Sequence, residues 1–355
     1  MEKEKKHYGN IDLLRYIFSI VIIIVHLKPF FNQNQGMHLF FNNIIGRVTV
    51  PFYFFVSGYF VGKKETSYIK KYIKSILPLY IVWSIIYIPF GIAAVMDYFP
   101  NFVAYIQNLN LSNIALLGLA IVVAPLILIV ALLYSGTYYH LWYFPALLLS
   151  LFVIEKYLKR FNIKSLMIIS FVLIVFGSSE TYFGALPNQV QNLLSYYFDF
   201  FITTRNFLFF GLFYVSFGYY FGNKKIEESR YRLAKLAICI VLLLGEFAFL
   251  QTIERLDSNI MLSCIPLTYY LFVNLIYCQI KIESKAIMYR FRELSKYYYL
   301  IHPLVIISFL KVVSIKQYSI NSFLSCLIVV TLTHLVATLL IYIKKKIPNR
   351  IGNLI

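Results

Sequence analysis

The chain has 355 residues, 60% of them hydrophobic and only 14% charged, an apolar excess that excludes an ordinary water-soluble domain. Its formal net charge of +18 comes from 33 Lys and Arg against 15 Asp and Glu, a balance that in a soluble protein would point to nucleic acid. Placement excludes that partner: the cations stand in short clusters between apolar runs, at Lys63 and Lys64, Lys156 to Lys164, Lys224 to Lys235, Lys281 to Lys296 and Lys344 to Arg350, the positive-inside pattern of a multi-pass membrane protein.

A helix needs about 20 apolar residues to cross a bilayer. With the basic N-terminus in the cytoplasm, Ile11 to Phe30 is the first crossing, read as a retained helix because no Ala-x-Ala cleavage pattern follows it. Ile44 to Val61 returns to Lys63, and Ser75 to Met96 goes out again. The apolar run from Ile114 to Tyr134 then decides the topology. As a crossing it leaves 13 of the 33 Lys and Arg inside and 20 outside; as a re-entrant or protein-buried segment, broken at Gly118 and Pro125, it gives 27 inside and 6 outside. The charge bias selects the second arrangement.

The remaining crossings are Leu141 to Tyr157, Ser165 to Tyr182, Arg205 to Gly222, Ala234 to Leu250, Ile260 to Ile280, Tyr297 to Ile315 and Ser322 to Ile343. The expected fold is all-α: one integral membrane domain over residues 1–355, its membrane core about 11–343, with about ten transmembrane helices, a re-entrant segment at 114–134 and both termini on the cytoplasmic side of the plasma membrane. No internal repeat is evident. The four cysteines, Cys239, Cys264, Cys278 and Cys326, lie in or beside apolar segments without metal-ligand spacing and read as small core residues. The longest outer loops, Asp97 to Asn113 and Phe183 to Thr204, are rich in Asn, Gln, Tyr and Phe, which suits an interfacial belt and also sugar binding.

An ionisable side chain in hydrocarbon costs about 2.5 kcal/mol or more, so Arg15, His26, Glu246 and His334 each need a partner or a task. Arg15 and His26 are eleven positions apart, which advances a helix by about 16 Å and returns to nearly the same face. Such a stripe suits a phosphate-rich ligand lying along the helix, with a guanidinium fork for phosphate and an imidazole to take a hydroxyl proton; an Arg at the headgroups and a His capping a polar patch is the plainer alternative. Glu246 reads as a structural ion pair, a His-orienting group or a proton carrier, and His334 as a hydrogen-bonded packing residue. Arg47 and His140 fall near the outer face, where each contacts an acceptor or anchors a helix end.

Several stretches resemble the bacterial membrane acyltransferase family 3, whose members O-acylate cell-surface carbohydrates. "NIDLLRYIFSIVIIIVHLKPF" has the family's Arg and His with ten residues between them, "RVTVPFYFFVSGYFVGKK" is similar to its second helix, and "YIKKYIKSILPLYIVW" to the basic entry of its third. "HLWYFPALL" from His140 and "YYYLIHPLV", which carries His302, extend the likeness over residues 10–340. The resemblance implies ten helices, His26 as catalytic base, and Arg15 with Lys71 and Lys74 as contacts to coenzyme A; Arg47, His140, Glu246 and His302 are supporting or acceptor-side candidates. The family's basic entry usually carries Arg where this chain has Lys71 and Lys74, and Lys lacks the bidentate fork.

The expected function is therefore membrane O-acyl transfer, most simply of acetyl, from cytoplasmic acyl-CoA to an extracytoplasmic glycan or lipid-linked sugar, with no metal. The rival is a proton-coupled small-solute transporter: Glu246 and His334 suit proton coupling, and proteins discussed as permeases that resemble the family include the membrane half of serine racemases of vancomycin resistance.

Overall fold

A computed structural model describes residues 8–98, 113–201, 203–278, 284–316 and 321–347. Among these residues the secondary structure is helical, without strands. Helix α1 runs Gly9–Leu27 and stops where Lys28, at φ 48°, closes it with an N–H to the Ile24 carbonyl; the following Pro29 cannot continue a helix. A short helix, Gln35–Leu39, and a π-helical turn, Phe40–Ile45, lead into α2, Gly46–Gly62. Then come α3 (Ser67–Tyr98), α4 (Asn113–Tyr134), α5 (Tyr143–Tyr157) and α6 (Ile163–Gly177). Helix α7, Asn188–Phe201, occupies much of what the sequence reads as an outer loop; the other such loop lies almost wholly outside the described residues. A second π-helical turn, Phe207–Gly211, opens α8, Leu212–Gly222. Helices α9 (Arg232–Leu250), α10 (Cys264–Ile276), α11 (Lys285–Lys316) and α12 (Ser322–Lys346) complete the bundle.

Among the described residues, seven helical stretches are long and apolar enough to cross a membrane, and the stretches 207–222 and 264–276 are shorter apolar helices. Outward faces stay apolar, as at Val241 (67% exposed) and Leu327 (65% exposed), which water would penalise and lipid accommodates. Ion pairs and hydrogen bonds gather the basic helix ends on one face of the bundle. Arg292 holds Asp12 at 2.8 Å, Lys344 holds Glu293 at 2.6 Å, Lys70 and Lys159 meet Glu155 at 3.8 and 3.6 Å, and Lys63 donates to the Tyr8 hydroxyl.

The expected break in the segment 114–134 is absent. Asn113–Tyr134 is one 22-residue helix, and Ile121, Val122, Leu126 and Val130 stand exposed on it, so it is not a protein-buried segment. Pro125 sits inside it; proline in an apolar helix is tolerated where neighbouring groups or local adjustments satisfy the freed carbonyl. The reason for excluding a net crossing there survives in another form. Lys70 near the start of α3 pairs with Glu155 near the end of α5, while Thr137, just before α5, donates to the Ser84 carbonyl in the far half of α3 at 2.7 Å. Helices α3 and α5 are thus antiparallel neighbours.

The centre of the bundle is the pair α2 and α8, which run parallel. Gly58 and Gly62 face Gly218 and Gly222, and a Cβ at Gly58 would sit on the Val215 carbonyl, one at Gly218 on that of Phe55. Small residues spaced by four permit this backbone contact and are a common interface between membrane helices. The two helices also end alike, "VSGYFVG" at 56–62 and "VSFGYYFG" at 215–222, and each follows a π-helical turn. The likeness is confined to these helix ends, where an extra residue, Phe217, puts the two stretches out of register.

Candidate active site

Arg15, Ile22, Val25 and His26 line one cavity of about 380 Å³, with side chains of α2, α3, α5, α11 and the stretch before α8 as its other walls. The stripe expected on α1 therefore faces a single space. At the basic face the cavity is lined by Arg15, Arg292, Lys296, Tyr72 and Glu293. Arg15 stands 3.7 Å from Asp12, whose carboxylate Arg292 already grips from Nη2 at 2.8 Å and Nε at 3.4 Å. Arg15 is thus the looser partner; its Nε is buried without a hydrogen bond, and its guanidinium lies 5.7 Å from the Tyr53 ring. Glu293 is occupied by Lys344. A surplus of cations facing the cavity suits phosphates.

About three turns along α1, His26 stacks on His302, with ring centroids 5.2 Å apart and planes 22° apart, and Tyr139 packs at 4.7 Å. His140 stands edge-on to His302 at 5.4 Å and to Tyr87 at 4.6 Å. The pose of His302 follows from its neighbour. Pro303 has no N–H to give the Tyr299 carbonyl four residues earlier, and His302 Nδ1 lies 2.9 Å from that oxygen and 2.9 Å from the Tyr298 carbonyl. Carbonyls only accept, so Nδ1 carries the proton and Nε2 of the neutral ring is a bare acceptor. That Nε2 and both nitrogens of His140 are buried without partners. His26 is part-exposed at the cavity wall.

Beyond His26, Arg47 donates to Asn259 Oδ1 at 2.6 Å, and Arg205 reaches the same oxygen at 3.5 Å while lying 5.1 Å from the Trp142 ring. Gly46 brings this end against α1: a Cβ there would fall 2.9 Å from Val25 Cγ2.

The structure thus brings Arg15, His26, Arg47 and His140 to one cavity with His302 behind His26. Lys71 and Lys74 are exposed and do not line it, although Tyr72 and Ile76 of the same helix do. Glu246 lies elsewhere, accepting the N–H groups of Leu262 at 2.7 Å and Ser263 at 2.8 Å and a hydrogen bond from Tyr182. It satisfies free donors at the start of α10, a structural task. His334 bonds the Tyr298 hydroxyl at 2.8 Å. Sequence reasoning missed Arg205, Asn259, Arg292 and Lys296. The last two fall in a stretch read as a basic loop, but α11 begins at Lys285, twelve residues before the expected Tyr297.

The chain is 27% identical over 364 residues to an amino-acid racemase of Enterococcus faecalis, covering 96% of this chain and 47% of that protein. It is 25% identical over 338 residues to a serine/alanine racemase of Enterococcus gallinarum, covering 91% and 44%. The chain thus spans less than half the length of these relatives. No solved structure matches it. The family described as an acyltransferase domain matches residues 8–342, nearly the whole bundle and every wall of the cavity, and the chain belongs to the membrane acyltransferase family 3.

Proposed function

We propose that this protein is an O-acyltransferase that takes an acyl group, acetyl in the simplest case, from cytoplasmic acyl-CoA and passes it to a hydroxyl of an extracytoplasmic glycan or lipid-linked sugar. One observation carries the reading: a single cavity joins a cationic end, at Arg15, Arg292 and Lys296, to an imidazole about 16 Å further along α1. The thioester arm lies along α1 with the phosphates at the basic face. His26 removes the proton of the acceptor hydroxyl as its oxygen attacks the thioester carbonyl; the C–S bond breaks and the proton passes to the thiolate. General-base catalysis of this kind contributes about 10²–10⁴-fold. His302, pinned through Nδ1, supports the ring of His26 from behind.

The proposed topology has ten crossings, α1 to α3, α5, α6 and α8 to α12, with the basic face and both termini cytoplasmic in the plasma membrane. The gathering of cations on one face supports this orientation. The test pairs purified His26→Ala protein with acetyl-CoA and a soluble glycan acceptor. Loss of transfer with donor binding retained is expected; transfer at the parental rate removes His26 as the base.

A second reading, solute translocation, draws on the local likeness of α2 and α8, since internal repeats are frequent in transporters. Mass spectrometry of surface glycans from cells with and without the protein separates the two. A mass difference of one acyl unit supports transfer; unchanged glycans with altered solute uptake support translocation.

A further inference from the structure

Two guanidiniums meet at the far end of the cavity with too little negative charge between them. Arg47 and Arg205 share one amide oxygen, Asn259 Oδ1. Asp257 approaches Arg47 at 3.8 Å but also accepts hydrogen bonds from the Asn259 amide and the Ser258 N–H. Arg205 has no carboxylate within 4.0 Å among the described residues; Asn259 and the Trp142 ring are its neighbours. The Nε of both arginines is buried without a hydrogen bond. Arg does not shed its proton in proteins, so two fixed charges that share one amide oxygen and have a single, divided carboxylate nearby leave a net positive charge that suits an anion.

The placement is that of a ligand site. Both arginines line the cavity that holds His26, at the end away from Arg15. Each also flanks a π-helical turn, Arg47 just after Phe40–Ile45 and Arg205 just before Phe207–Gly211; such turns concentrate at functional sites. Arg47 stands in the first turn of α2 and Arg205 in the stretch that leads into α8, and Asn259 Oδ1 holds them side by side.

We propose that Arg47 and Arg205 form a receptor for an oxyacid anion, a carboxylate or a phosphate, carried by the acceptor, so that this protein acylates anionic acceptors. The proposal rests on the acyl-transfer reading above and names its substrate class. Two forks aimed at one anion recognise it with charge-assisted hydrogen bonds, and they orient the neighbouring hydroxyl toward His26.

The test uses the full chain in lipid nanodiscs with three probes of equal size: a carboxylated oligosaccharide, its methyl ester, and a phosphorylated oligosaccharide. Equilibrium binding is measured without donor, and transfer with acetyl-CoA. The parental protein is expected to bind a charged probe about ten- to a hundredfold more tightly than the ester, and the preferred charged probe identifies the anion. Arg47→Gln and Arg205→Gln should each erase the difference while acetyl-CoA binding stays unchanged. Arg205→Lys, which keeps the charge without the fork, should retain part of it and so separates recognition from misfolding. Equal binding of acid, phosphate and ester by the parental protein overturns the proposal, as does loss of acetyl-CoA binding in folded Arg47→Gln or Arg205→Gln protein. Anion-selective binding without transfer to any probe would leave the receptor standing and remove the acyl-transfer reading.

Discussion

Arg15→Gln separates ligand binding from architecture because of how Asp12 is held. Asp12 is buried, 3% exposed, with Arg292 donating to it from two nitrogens, the closer at 2.8 Å, whereas Arg15 stands 3.7 Å away. Removing Arg15 leaves Asp12 paired, so the stability cost should stay below about 1 kcal/mol, the range of a loose ion pair. A charge-assisted contact to phosphate contributes about 1.5–3 kcal/mol, so acetyl-CoA should bind about 10- to 150-fold more weakly. Arg292→Gln leaves a buried carboxylate without its main partner and should cost about 1–3 kcal/mol of stability, besides any loss of donor affinity. Calorimetric titration with acetyl-CoA and thermal melting of both variants provide the two readouts. Unchanged donor affinity in Arg15→Gln, or a larger melting loss there than in Arg292→Gln, would refute the assignment.

Lys71→Ala and Lys74→Ala should each change donor affinity less than about threefold, as expected of exposed, screened charges; a tenfold loss measured by the same titration would bring them into the donor site. Gly58→Leu and Gly218→Leu should each cost more than about 3 kcal/mol, because the new side chain meets a neighbouring backbone carbonyl; melting of detergent-solubilised protein measures this, and parental stability would disprove the contact. Single cysteines at Asn162 and Glu227, in a background without the four native ones, should be labelled only from the cytoplasm. Reaction of both with an impermeant external reagent would refute the ten-crossing arrangement and make Asn113–Tyr134 a full crossing.

The helix ends were legible because Lys and Arg mark them, and most helices lie within a few residues of the bounds expected for a crossing. The α1 stripe was legible because eleven residues nearly complete three turns. Other features were hidden for physical reasons. The first turns of α11 carry Lys285, Arg290, Arg292 and Lys296, and a search for apolar runs reads such a segment as loop; only the Asp12 and Glu293 pairings reveal it as the cavity's cationic end. Asn259 is an uncharged residue between helices, given meaning by two arginines 212 and 54 positions away. Glu246 read first as a structural ion pair, but its oxygens take the backbone N–H groups of Leu262 and Ser263, partners that an apolar run does not announce.

The glycine contact between α2 and α8 also bears on how the protein yields mechanically. Side chains cushion most helix pairs and can change rotamer to let one helix slide past another. Here backbone meets backbone, leaving no such bearing, and any slip along the axis would drive a peptide group into a carbonyl. The pair is therefore a stiff spine, and opening of the cavity to either side must come from the helices around it.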